Sequence, residues 1–104
     1  MNREVEQKLE LPELNQTQLD EETVGQLFRD IHLCTQVVEI ILKRNVRGYV
    51  GNQQITLSEA QGLLQSGEIR GVQIRYIYDG VHWWDTLIRN ADGISLTRIR
   101  HDSF

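Results

Sequence analysis

The clearest pattern along the chain is a period of two in its last third. Val72, Ile74, Tyr76 and Tyr78 alternate with Gln73, Arg75 and Ile77, and Asp79-Gly80 follows. Alternation of this kind predicts a strand with one covered face. Asp-Gly is a favoured pair for the two-residue type I′ hairpin turn. A turn at Asp79-Gly80 sets Tyr78 opposite Val81, and counting outward pairs Ile77 with His82, Tyr76 with Trp83, Arg75 with Trp84 and Ile74 with Asp85. A second turn at Asn90-Ala91-Asp92-Gly93 leads into Ile94 to Arg100, which alternates again. Residues 70–100 therefore read as a three-stranded antiparallel meander.

Upstream the period changes. Val24, Leu27, Phe28 and Ile31 fall at i, i+3, i+4 and i+7, one face of an α-helix. Asp20, Glu21 and Glu22 stand at its start, where negative charge complements the helix dipole, and Thr17 or Asp20 can cap it. Thr56-Leu57-Ser58-Glu59 has capping-box spacing and opens a second helix of about ten residues, with Ala60, Leu63 and Leu64 as its buried stripe and Gly67 as its stop. Between the helices, residues 35–43 admit two readings. The stripe of the first helix can continue through Cys34, Val38, Ile41 and Leu42. The β-branched residues Val37, Val38, Ile40 and Ile41 suit a strand buried on both faces instead, which would add a fourth member to the sheet and cover an edge. The strand is the favoured reading. Gly48, Gly51 and Asn52 mark a turn-rich connection around Tyr49-Val50.

Residues 1–18 mix Glu, Gln, Asn and Lys with Val5, Leu9, Leu11 and Leu14, and Pro12 interrupts any helix through them. They read as a flexible acidic N-terminal arm whose leucines could dock on a neighbour. Residues 19–104 then form one α+β domain, a small antiparallel sheet packed with two helices.

Composition narrows the function classes. With 104 residues, 39% hydrophobic and 25% charged, the chain can bury one core and is too apolar for wholesale disorder. Its longest apolar run, Val37 to Leu42, is broken by Glu39 and falls far short of the roughly 20 residues a bilayer span needs. The start Met-Asn-Arg-Glu has no apolar signal region, so a cytoplasmic location is expected. Residues 1–42 hold three basic and nine acidic residues, and residues 43–104 hold eight basic and six acidic ones. That balance lacks the dense basic patch of a nucleic-acid binder.

Candidate chemistry is sparse. Cys34, the single cysteine, excludes an intrachain disulfide and reads as a small buried residue near a helix end. His32 and Cys34 have a spacing that chance often produces, so no metal site is expected, and no cofactor. Ser58 and Ser66 belong to helix ends, and the glycines to turns and caps. His82 and Asp85 are three apart on a strand and point to opposite faces.

The register separates the two tryptophans. Trp83 shares the apolar face with Val72, Ile74, Tyr76, Tyr78, Leu87, Ile94 and Leu96. Trp84 shares the polar face with Gln73, Arg75, His82, Thr86, Thr97 and Ile99, and is expected to be the more exposed. It can make a cation–π contact with Arg75 and anchor a protein partner, or it can simply pack under a helix or the N-terminal arm. Asp85 falls on the core face, where a carboxylate needs donors from backbone amides or from a Tyr or Trp.

The expected function is a small non-enzymatic accessory or adaptor protein. Its partner-binding residues would be Trp84, Arg75, His82 and Tyr78, its partner a protein or larger complex, with a homo-oligomer possible. The alternative is a single-stranded nucleic-acid-binding domain, with Arg75, Trp84, Arg98, Arg100, Tyr76 and Tyr78 on the sheet. It is weakened because Arg98 and Arg100 lie on the face opposite Arg75. A small enzyme using Asp85 ranks third.

Overall fold

A computed structural model of the chain describes residues 11–44 and 54–101. Five strands and two helices follow in the order β1 (Leu14–Leu19), α1 (Glu21–Cys34), β2 (Gln36–Lys43), α2 (Leu57–Ser66), β3 (Gly71–Tyr78), β4 (Val81–Asn90) and β5 (Gly93–His101). The strands form one antiparallel sheet in the order β1-β5-β4-β3-β2. It is an α+β fold, with the expected meander at its centre and the expected strand at residues 36–43.

The two turns set the register of the meander. Asp79 and Gly80 both take positive φ, 54° and 78°, as a type I′ turn requires. The β3–β4 pairing then runs from Tyr78↔Val81 through Tyr76↔Trp83 and Arg75↔Trp84 to Gly71↔Ile88, as the turn dictates. Beyond the second turn, Asn90↔Gly93 leads to Asp85↔Arg98 and Trp84↔Ile99.

Both helices contribute to a single core on one face of the sheet. Val24, Phe28 and Ile31 of α1 and Ala60 and Leu64 of α2 pack with Leu42, Val72, Ile74, Tyr76, Trp83, Leu87, Ile94 and Leu96. Each helix begins as expected. The Asp20 carboxylate accepts from the Thr23 amide at 2.8 Å, and Thr56 and Glu59 complete a capping box. Arg89 on β4 ties α2 to the sheet, donating to the Leu64 and Gln65 carbonyls in the last turn of the helix at 3.0 and 3.1 Å.

Three expectations change. Residues 14–18, read as part of a flexible arm, belong to β1, hydrogen-bonded along β5, while residues 1–10 lie outside the described residues, as does the connection around Tyr49-Val50. Leu14 and Leu19 are five apart, a spacing that a regular strand would send to opposite faces. A bulge, with Gln16 at φ 51°, inserts one residue and brings Leu14 opposite Arg98 and Leu19 opposite Ile94, on the core side. Next, β2 is not buried on both faces. It is an edge strand whose inner residues Val37, Ile40 and Leu42 pack on or in the core, while the register shift between Val37 and Glu39 leaves Val38 exposed. Finally, Cys34 closes α1 on its solvent side and is exposed, because the buried stripe stops at Ile31 and the chain turns into β2 at Thr35.

Candidate functional site

The face of the sheet turned away from the helices holds most of the residues expected to bind a partner. Glu39, Arg75, Trp84 and Ile99 stand side by side on β2, β3, β4 and β5. The Arg75 guanidinium lies over the Trp84 indole, its Cζ 3.9 Å from the ring centroid. From the β5 side the His101 imidazole stacks on the same indole, with centroids 4.4 Å apart and planes at 18°. Trp84 is therefore flanked by a cation on one neighbouring strand and a flat ring on the other.

Arg75 is held on three sides. Its Nη1 meets Glu39 Oε1 at 3.2 Å, its Nε donates to Gln73 Oε1 at 2.8 Å, and Gln73 in turn donates to Thr86 Oγ1 at 3.0 Å. A guanidinium anchored at both ends and stacked on a ring has little rotamer freedom left to lose. Around this ladder Ile41, Ile77 and Ile88 are half-buried and Ile99 is 48% exposed. No described helix covers this face.

Of the four expected site residues, Arg75, Trp84 and His82 share the face and Tyr78 does not. Tyr78 lies on the core side, half-buried against the core cluster, because strand alternation sends it the way of Tyr76. His82 is exposed opposite His101. Glu39, Gln73 and His101 complete the ladder. His101 could have been found by carrying the register through the Asn90–Gly93 turn, which places it diagonally from Trp84, within reach of an aromatic ring.

On the opposite face, Asp85 is completely buried and Arg98 is 7% exposed. Arg98 Nε and Nη2 donate to Asp85 Oδ1 and Oδ2 at 2.9 and 2.8 Å, and the Tyr76 hydroxyl donates to Oδ1 at 2.9 Å. This is the buried staple expected at Asp85, with a tyrosine donor as anticipated and Arg98 as the donor that was missed. Burial alone would favour the neutral form of Arg98, but the hydrogen bonds and charge of Asp85 more than offset it and hold its pKa above the ordinary value. Burial, reinforced by the Asp85 charge, pushes the Tyr76 phenol well above its ordinary pKa of 10.0. Both groups stay protonated, so Asp85 keeps its donors.

Beside this staple, between α1, β1 and β5, lies a cleft of about 270 Å³. Its walls include Leu14, Leu19, Leu27 and Ile31, with Tyr76 and Arg98 reaching it from the sheet. Among the described residues no group of three or more His, Cys, Asp or Glu is placed to hold a metal ion, and no helix is long and apolar enough to cross a membrane.

No family model matches the chain, and no curated protein or solved structure matches it significantly.

Proposed function

We propose that the protein is a small non-enzymatic accessory or adaptor protein that binds a protein partner through the outer face of its sheet. The observation that carries this reading is the Arg75–Trp84–His101 stack on a face that no described helix covers. Tryptophan and arginine are the residue types most often found at energetic centres of protein interfaces, and side chains already held in place cost less entropy to bind. The half-buried isoleucines around the stack supply apolar contact area.

Single-stranded nucleic acid is the less supported reading. A base stacks on an open ring face, whereas the Trp84 indole is already flanked by Arg75 and His101, and Arg98 is committed to Asp85. A catalytic role for Asp85 is also less supported, because both its oxygens already accept from Tyr76 or Arg98. A cytoplasmic location accompanies the proposal, since a lone exposed thiol suits a reducing compartment.

Affinity capture from the native host with the wild-type chain and with Trp84→Ala tests the reading. Loss of a specific partner in a variant that keeps its circular-dichroism spectrum supports it. Unchanged recovery removes Trp84 from the interface. Binding of short RNA or DNA that weakens steeply with salt would instead favour the nucleic-acid reading.

A further inference from the structure

We propose that the outer edge of β2 pairs with the same edge of a second copy of this chain, joining two sheets across a two-fold axis at Ile41. In the strand order β1-β5-β4-β3-β2, each outermost strand is paired on one side only, and among the described residues no strand lies beyond either. An open strand edge is a template for another strand, and proteins commonly break it up with bulges or charges. β1 is broken in this way, because the bulge between Leu14 and Thr17, with Gln16 at φ 51°, falls in its middle. The bulge in β2 lies nearer its start, between Val37 and Glu39, and Glu39 to Lys43 then pair with β3 without interruption. Of the two edges, β2 is therefore the one that offers a regular stretch to a partner.

The residues on that stretch select a second copy. Glu39, Ile41 and Lys43 stand on the outer face, opposite Arg75, Gln73 and Gly71, while Ile40 and Leu42 face the core. Two antiparallel copies related by a two-fold axis at Ile41 set Glu39 of each opposite Lys43 of the other, and Ile40 of each opposite Leu42 of the other. Glu39 and Lys43 are both exposed. Glu39 Oε1 already meets Arg75, and a carboxylate has acceptor capacity for a second cation. The charges also fix the register. An axis at Ile40 would pair Glu39 with Ile41, and an axis at Leu42 would pair Lys43 with Ile41, so either slip loses both charge pairs.

An uninterrupted pairing this short buries little surface, and a weak dimer is expected, with Kd on the order of 0.1 mM. The two-fold axis keeps both outer faces on one side of the joined sheet, so the dimer displays the Arg75–Trp84–His101 stack twice. The pairing itself does not depend on what that face binds.

The test is sedimentation equilibrium of the full chain at neutral pH, over concentrations spanning that Kd, together with the concentration dependence of its backbone amide resonances. A monomer–dimer equilibrium is expected, with shifts concentrated at Glu39 to Lys43 and none along β1. Glu39→Lys and Lys43→Glu should each weaken the dimer by about tenfold or more, because symmetry imposes each like-charge contact twice. An equimolar mixture of the two variants should recover dimer, since the native Glu39 then faces the native Lys43 and the introduced ammonium faces the introduced carboxylate. Recovery in the mixture also shows that both variants are folded. A chain that stays monomeric at millimolar concentration overturns the proposal. So does a dimer whose shifts fall on β1 or the outer face around Trp84, one that neither charge reversal weakens, or a mixture no more dimeric than its components.

Discussion

Asp85 and Arg98 face each other across β4 and β5 and form a two-pronged ion pair inside the core, with donor–acceptor distances of 2.9 and 2.8 Å. Both are on the helix-covered face, where neither charge could stand alone. The pair is a consequence of register: counting outward from Asn90↔Gly93 reaches Asp85 and Arg98 together. A slip of one residue would send one of them to the outer face and leave the other buried without its partner.

Breaking the pair from one side should therefore cost far more than removing it. Asp85→Ala leaves the Arg98 charge and the Tyr76 hydroxyl buried without their acceptor, and a loss of about 3–5 kcal/mol is expected. The double variant Asp85→Leu, Arg98→Met replaces both charges with apolar groups of similar bulk and should recover most of that loss. Urea denaturation of the three proteins measures the difference. Equal destabilisation in the single and double variants would show that the pair is not the relevant interaction.

The two tryptophans offer a direct check of which face is which. Trp83 is 6% exposed in the core, while Trp84 is half-exposed on the outer face. With Trp84→Phe, the remaining fluorescence belongs to Trp83 and should resist quenching by acrylamide. With Trp83→Phe, the remaining emission belongs to Trp84 and should be quenched several-fold more readily. The reverse order would mean that the β3–β4 register is displaced by one residue.

Acid should weaken the start of α1. The hydrogen bond that the Asp20 side chain accepts from Thr23, followed by its bond from the Thr23 amide, holds the Asp20 pKa below its ordinary value of 3.8. A carboxylate with a lowered folded-state pKa adds stability that is fully present above the unfolded value and is lost as pH falls through the folded one. Asn at the same position also caps a helix but does not titrate. The stability of the wild type relative to Asp20→Asn is expected to be constant near neutrality and to decline as pH falls below 3.8. Denaturation midpoints of both proteins across that range test this, and a pH-independent difference would count against the cap.

Much of the fold is legible in the sequence because its signals are local. Asp79-Gly80 fixes a turn through backbone conformation alone, and once the turn is set, strand alternation assigns Trp83 to the core and Trp84 to the outer face. Thr56 and Glu59 specify a helix start within four residues, and Asp20 does so with Thr23. The same locality explains why the Trp84–Arg75 contact could be anticipated, since the two are direct cross-strand neighbours in the first hairpin.

The tertiary structure decided what depends on distant pairing. β1 is invisible as a strand because the bulge at Gln16 breaks the period of two, and only contact with β5, nearly eighty residues later, reveals why Leu14 and Leu19 belong on one side. The exposure of Cys34 follows from where the chain leaves α1 for β2, which helical periodicity does not contain. For Asp85 the sequence determines its burial through register, but the placing of β5 between β4 and β1 on the core side makes Arg98 its buried partner and leaves a cleft beside the pair. Local backbone preferences set each turn and cap; the burial of charges and the opening of cavities are settled only when distant elements compete for the same space.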